Sequence, residues 1–171
     1  HLSEYPADRW KSREWISGFT GSAGTLVVLP ERAALWTDGR YFLQAGQQLA
    51  GSTIELMREG QPGVPSVADF LAEHLPRGGT LGFDGRTVSA AFARGLEKAL
   101  APREIRFAAD RDLVGEIWAD RPALSAEPVW ELDAALAGLT REEKLALLGL
   151  NMGAKTGAAT SGMAESSRIA V

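Results

Sequence analysis

The residues that could take part in chemistry lie in two short segments near the start of the chain. Gly18-Phe-Thr-Gly-Ser-Ala-Gly24 places three glycines at three-residue spacing before an aliphatic run. A dinucleotide-binding loop has a GxGxxG spacing and follows a strand, and a P-loop ends in Gly-Lys-Ser/Thr, so the segment matches neither. Because glycines permit positive φ and close backbone approach, it is either a structural turn or a turn whose Ser17, Thr20 and Ser22 hydroxyls face a cleft.

The second segment, Trp36-Thr-Asp-Gly-Arg-Tyr-Phe42, combines an acid, a base and three aromatic residues at a predicted junction between a strand and a helix. The guanidinium of Arg40 could bind a carboxylate with two parallel hydrogen bonds. The alternative is that Asp38 and Arg40 hold each other or cap the following helix.

Histidine and cysteine are almost absent from the sequence. The chain has no cysteine, which excludes disulfides, thiolate zinc sites and cysteine nucleophiles. His1 and His74 are its two histidines, and neither has a second ligand type at metal spacing. His74 falls at a predicted helix end, where it can complement the helix dipole. We therefore predict no catalytic residue and no metal ligand in this chain.

Composition excludes two classes of partner. The net charge is −4 over 171 residues without a block of Lys and Arg, which argues against nucleic acid as a partner. No apolar run approaches the roughly 20 residues that span a bilayer, so we expect no membrane insertion. The absence of cysteine fits a reducing compartment, and we expect a cytoplasmic protein.

The elements that must position the two segments alternate along the chain. The patterns predict strands at 26–29, 33–36, 53–57, 80–84 and 104–108, and helices at 40–49, 67–75, 89–100 and 112–118. Thr37 or Asp38 would cap the first helix, and Ser66 would cap the second. This alternation is typical of an α/β layer fold.

The last third of the sequence has a different character. Residues 119–128 contain two prolines and no periodicity, which indicates a linker. Thr140 and Glu143 form a capping box at the start of an amphipathic helix. From residue 153 to residue 171 the chain is rich in Gly, Ala, Ser and Thr, and we expect a loose tail.

Four segments of the sequence resemble the first domain of three-domain Xaa-Pro aminopeptidases (aminopeptidase P), metallopeptidases of the creatinase/prolidase superfamily. These segments are residues 1–5, 13–25, 34–45 and 113–122. The resemblance implies an α/β fold like that of the creatinase/prolidase N-terminal domain, with a mixed, mostly parallel sheet flanked by helices in a ribonuclease H-like architecture. It also implies a cytoplasmic homodimer.

Most of the function that the resemblance implies belongs to a part of the enzyme that this sequence does not match. In that family two divalent metal ions, usually manganese, are bound by a third domain and generate the hydroxide that attacks the peptide bond before proline. No position here matches those ligands. The resemblance implies a role in substrate-channel shape and dimerisation, with Phe19, Arg40 and Tyr41 as channel candidates. The alternative is a truncated stand-alone binding or assembly module without peptidase activity.

The resemblance also implies a domain layout. We expect residues 1–120 to form the N-terminal domain without its first strand and helix, residues 121–138 to form a linker, and residues 139–171 to begin an incomplete second domain with a loose tail. Because the sequence leaves the family pattern after about Met152, we expect a frameshift in the coding DNA or a truncation there.

Overall fold

The computed structural model describes residues 5–157, so His1 and most of the predicted tail lie outside the described residues. The chain divides into two units, residues 1–125 and residues 126–171. None of the helices within 5–157 is long and apolar enough to cross a lipid bilayer.

The first unit contains each predicted strand. These strands are β1 Thr25–Val28, β2 Ala33–Thr37, β3 Ile54–Arg58, β4 Thr80–Gly82 and β5 Arg106–Ala108. Its helices are α1 Ser12–Ser17, α2 Phe42–Gln48, α3 Val67–His74 and α4 Ala90–Leu100, with 3-10 turns at Asp8–Trp10 and Ala101–Arg103.

The strands of the described region form two small sheets. In the first, β2 lies between β1, which is antiparallel to it, and β3, which is parallel to it. In the second, β4 and β5 are parallel. The expectation of a mixed, mostly parallel arrangement flanked by helices is confirmed.

Strand β2 forms the centre of the core because both of its faces are covered. Ala34 and Trp36 pack with residues of α3 and α4, whereas Leu35, on the opposite face, packs with Phe19 and with Ala45 of α2. Successive side chains of a strand point to opposite faces, so a strand covered on both sides needs a continuous apolar run. The run from residue 33 to residue 36 is of this kind.

Side-chain caps fix the starts of α3 and α4. The Oγ of Ser66 accepts a hydrogen bond from the Asp69 amide, which confirms the predicted cap, and the Oγ of Ser89 accepts one from the Phe92 amide; both bonds are 3.1 Å long. The prediction that Thr37 or Asp38 caps α2 is wrong. That helix begins after Tyr41 without a side-chain cap, because the Asp38 carboxylate is engaged with Arg40.

The predicted helix at 112–118 is also wrong, since this segment forms consecutive turns. The Trp118 amide donates to the Val114 carbonyl at 2.9 Å, and the Asp112 carboxylate accepts from the Gly115 amide at 2.8 Å. Glycine disfavours a continuing helix, and the buried Trp118 ring is held instead by stacking on Trp15.

The described part of the second unit contains two helices. Helix α5, Ala134–Ala137, lies inside the predicted linker and is capped by Asp133. Helix α6, Arg141–Gly157, begins with the predicted capping box: the Glu143 amide donates to Thr140 Oγ1 at 3.2 Å, and the Thr140 amide donates to Glu143 Oε2 at 2.8 Å.

Candidate functional site

The two segments singled out in the sequence lie against each other in the fold. We call them the glycine loop (residues 18–24) and the Asp-Gly-Arg turn (residues 38–41). The Oγ of Ser22 lies 2.7 Å from the Oη of Tyr41, and the Phe19 ring meets the Tyr41 ring edge-on with centroids 5.9 Å apart. The loop and the turn therefore form one surface feature at the end of β2.

The glycine loop is held from below by Arg13 of α1. Its Nη1 donates to the Gly24 carbonyl at 2.6 Å, and its Nη2 donates to the Gly21 carbonyl. The guanidinium also lies 5.4 Å from the centroid of the Phe19 ring. Burial lowers the pKa of the Arg13 guanidinium from its usual value. Sequence reasoning did not single out Arg13, because its two acceptors are backbone atoms that only the folded loop brings together.

The hydroxyls that could have faced a cleft are all engaged within the protein. Ser17 Oγ donates to the Arg13 carbonyl at 2.6 Å and accepts from the Phe19 amide at 3.1 Å. Thr20 Oγ1 accepts from the side-chain amides of Gln44 and Gln48, each at 2.9 Å. Together with the contact of Ser22, these bonds favour the interpretation of the glycine loop as a structural turn.

Asp38 and Arg40 hold each other in the turn. The Nε and Nη2 of Arg40 donate to the two carboxylate oxygens of Asp38 at 2.9 and 2.8 Å, and the Arg40 amide donates to Asp38 Oδ1 at 3.0 Å. The hydrogen bond from the Arg40 side chain lowers the pKa of the Asp38 carboxyl. Arg40 remains 66% exposed and lies 5.2 Å from the centroid of the Tyr41 ring.

The three predicted channel residues thus differ in exposure. Arg40 is exposed and Tyr41 is half-buried, whereas Phe19 is fully buried beneath the glycine loop. Phe19 is therefore placed to support the loop, and of the three residues only Arg40 and Tyr41 reach the surface.

A second Asp-Gly-Arg turn, Asp84-Gly85-Arg86, follows β4. The Nε and Nη2 of Arg86 donate to the Asp84 carboxylate at 2.9 and 2.8 Å, and the guanidinium lies 4.9 Å from the centroid of the Trp10 ring. The hydrogen bond from Arg86 lowers the pKa of the Asp84 carboxyl. The signal that could have identified this turn is the repeat of Asp-Gly-Arg after a predicted strand.

Beside the second turn, aromatic rings alternate with guanidinium groups. Arg121 lies between Trp10 and Trp118, at 5.6 and 5.5 Å from the ring centroids, and Trp118 stacks on Trp15 at 5.1 Å. The Arg121 side chain is only 6% exposed and is paired with Asp112. This series of stacked groups, the Trp-Arg stack, ties residues 10–15 to residues 118–121.

The described residues do not fit a metal site. Between residues 5 and 157, no three His, Asp or Glu side chains converge closely enough to hold an ion. His74 has other contacts: its Nδ1 lies 2.9 Å from the Phe70 carbonyl oxygen and its Nε2 contacts Arg32. Within the part of the chain that the structure describes, no set of side chains is thus available to the metal pair that the resemblance implies.

Comparison with known proteins identifies relatives over most of the chain. Residues 8–114 match the creatinase/prolidase N-terminal domain family. Aminopeptidase P2 of Arabidopsis thaliana is 46% identical over 148 residues, which cover 85% of this chain and 21% of that protein. An Xaa-Pro aminopeptidase of Caenorhabditis elegans is 41% identical over 154 residues, which cover 85% of this chain and 24% of that protein.

Solved structures agree with these matches. The X-prolyl aminopeptidase from Caenorhabditis elegans, described as a cytosolic enzyme with a di-nuclear active site, superposes with a TM-score of 0.71 at 39% identity, over 90% of this chain and 25% of that chain. The N-terminal domain of the cytoplasmic peptidase PepQ from Mycobacterium tuberculosis gives a TM-score of 0.50 at 28% identity, over 63% and 81% of the two chains. The chain spans only about a fifth to a quarter of the length of its aminopeptidase relatives.

Proposed function

The chain belongs to the creatinase/prolidase N-terminal domain family, and from this premise we propose that it is the non-catalytic N-terminal domain of an Xaa-Pro aminopeptidase. The observation that carries the proposal is the match of 85% of the chain to about a fifth of aminopeptidase P2. In this proposal the peptide bond before proline is cleaved by a separate domain that holds two divalent metal ions, with manganese as the expected metal. The enzyme works in the cytoplasm as a homodimer.

The part that this domain plays in catalysis is to shape the mouth of the substrate channel. Arg40 is exposed and held by Asp38, so its paired guanidinium has a fixed position at which it meets the carboxylate of a peptide. Tyr41 lies next to it with an aromatic face for an apolar side chain, and Phe19 supports Tyr41 from the core. The exposure of Arg40 and the hydrogen bonds within its turn support this assignment.

The first test is an assay of the purified chain. With the peptide Arg-Pro-Pro and added Mn²⁺, we expect no release of arginine above a buffer control. Release that follows the protein through purification and stops with a chelator would contradict the assignment of a non-catalytic domain.

The second test places the domain in an active enzyme. The corresponding residues of the Caenorhabditis elegans aminopeptidase are replaced by residues 1–125 of this chain, and Arg40→Gln and Tyr41→Ala are introduced. Loss of one contact of about 1 kcal/mol raises KM about five-fold with little change in kcat. Arg77→Gln, which removes an exposed ion pair with Glu104, is the matched control.

If both variants have the KM of the unsubstituted chimera, the proposed role of Arg40 and Tyr41 in the channel is rejected. Sedimentation equilibrium of the same chimera tests the homodimer.

A further inference from the structure

We propose that Arg13 is the positioning residue that fixes Tyr41 at the surface, because its guanidinium holds the glycine loop in the shape in which Ser22 and Phe19 reach the Tyr41 side chain. The inference rests on the proposed function only for the use of Tyr41 in the channel. The position of Tyr41 is a property of this chain and does not depend on the proposed function.

The C-terminal end of α1 fixes the start of the glycine loop. The Arg13 carbonyl accepts from Ser17 Oγ at 2.6 Å, and the same Oγ accepts from the Phe19 amide at 3.1 Å. Gly18 ends the helix in the left-handed region with φ 71°, and its amide donates to the Glu14 carbonyl. The start of the glycine loop is thus fixed relative to the backbone of Arg13.

The far part of the loop is fixed by the Arg13 side chain. Its two terminal nitrogens reach the carbonyls of Gly21 and Gly24, which lie three residues apart. The planar guanidinium presents donors in a rigid fork, so one group holds both carbonyls at a set separation. The Nε of Arg13 is buried and has no hydrogen-bond partner among the described residues. Within that part of the chain, the two terminal nitrogens therefore make all the hydrogen bonds of the guanidinium.

The loop held in this way lies close against the aromatic rings. A Cβ atom on Gly21 would lie 2.9 Å from Tyr41 Cδ1 and closer still to Phe19 Cζ. A Cβ atom on Gly24 would lie 2.9 Å from the Trp36 carbonyl oxygen. This close approach brings Ser22 Oγ within 2.7 Å of Tyr41 Oη.

Tyr41 therefore receives a polar and an aromatic contact from the same segment, one from Ser22 and one from Phe19. The Asp38–Arg40 pair is built within its own turn, where the Asp38 carbonyl accepts from the Tyr41 amide at 3.0 Å and Arg40 stacks on the Tyr41 ring. A lysine at position 13 keeps the charge, but as a single point it cannot replace a fork on two carbonyls.

The position of Tyr41 can be followed directly, because the chain contains only two tyrosines, Tyr5 and Tyr41. With 3-fluorotyrosine incorporated, fluorine NMR gives one resonance for each, and Tyr5→Phe assigns them. We expect Arg13→Gln and Arg13→Lys to move the Tyr41 resonance and to increase its shift between H₂O and D₂O. The Tyr5 resonance should stay, and Arg77→Gln and Arg77→Lys, at an exposed ion pair, should move neither.

The lysine variant separates positioning from stability. We expect Arg13→Lys to recover most of the unfolding temperature lost in Arg13→Gln, because the charge and stem remain, while Tyr41 stays displaced. A folded Arg13→Lys or Arg13→Gln chain with the Tyr41 resonance of the unsubstituted protein overturns the proposal.

If neither variant folds, the unsubstituted chain decides the matter through scalar couplings across hydrogen bonds, from the Arg13 Nη nitrogens to the carbonyl carbons of Gly21 and Gly24. Observed couplings support the proposal, and their absence with a freely rotating guanidinium overturns it. Because no peptide is involved, an unchanged KM in the chimera would reject the channel role and leave this result standing.

Discussion

Gly21 occupies a position that has no room for a side chain. The Gly21→Ala variant places a methyl group against the rings of Phe19 and Tyr41, and Phe19 is fully buried and cannot move away freely. Overpacking of this kind costs about 1–3 kcal/mol. We expect the free energy of unfolding of the first unit to fall by this amount, measured by urea denaturation with tryptophan fluorescence.

The matched control for Gly21 is Gly95, in the interior of α4. A Cβ atom there meets nothing within 4 Å, so Gly95→Ala gains helix propensity without a clash. We expect stabilisation of about 0.5–1 kcal/mol. Equal effects of the two substitutions would contradict the packing argument.

The carboxyls of Asp84 and Asp112 make stability depend on acid pH. Hydrogen bonds from Arg86 lower the pKa of Asp84. Burial alone would raise the pKa of Asp112, but the hydrogen bonds from Arg121 and the Gly115 amide outweigh it and lower the value. Because both carboxyls release their protons more easily in the folded chain, they stabilise it above the usual Asp pKa of about 4.

The free energy of unfolding should therefore decrease as the pH falls below about 4 and toward the lowered pKa values of the folded state. Urea midpoints measured between neutral and strongly acidic pH test this expectation. In Asp84→Asn the decrease should be smaller, since one of the carboxyls with a lowered pKa no longer titrates. A decrease as steep as that of the unsubstituted chain would show that Asp84 does not contribute.

Residue patterns predicted the two segments of the site but not how each residue is used. Gly18 to Gly24 and Asp38 to Tyr41 stand out by composition alone, and they do meet in space. Sequence could not show that Phe19, between two small polar stretches, is fully buried, because its cavity is made by Leu35 and Ala45 from distant elements.

At the scale of the elements, helix α4 depends on its N-cap. Ser89→Ala removes the acceptor for the Phe92 amide, and the loss of such a cap costs about 1 kcal/mol. Ser89→Asp is the control, because a carboxylate also accepts this bond and interacts favourably with the helix dipole. We expect urea denaturation to show a lower free energy of unfolding for the alanine variant only; equal losses in both would argue against the cap.

Elements with strong local signals were predicted well, and weaker ones were not. The caps at Ser66 and Thr140 mark helices that form, because side-chain acceptors and apolar periodicity point to the same start. The segment 112–118 shows helical spacing, yet it forms turns, since Gly115 and the stacking of Trp118 determine its path. Such tertiary contacts leave no periodic trace in the sequence.

At the scale of the whole molecule, the two units differ in what they bury. Both hydrophobic clusters lie between residues 19 and 107, whereas no hydrophobic side chain between residues 126 and 149 is buried. Exposed apolar side chains of this part include Val129, Trp130 and Leu136. A unit with its own core can fold alone, so the first unit should not need the second.

We therefore expect a chain of residues 1–125 to unfold cooperatively at about the same temperature as the full chain, within the few degrees that correspond to 1 kcal/mol. Differential scanning calorimetry measures this. A midpoint more than about ten degrees lower would show that residues 126–171 stabilise the first unit.

The Trp-Arg stack also has a spectroscopic consequence. Trp15 and Trp118 stack at 5.1 Å with an angle of 18° between their planes. The excited states of two indoles this close mix, so we expect the circular dichroism of the first unit to contain an exciton couplet from this pair. The two residues come from opposite ends of the unit, so the couplet disappears when these ends separate, even while every strand remains paired. The circular dichroism of the domain thus reports whether its two ends are in contact.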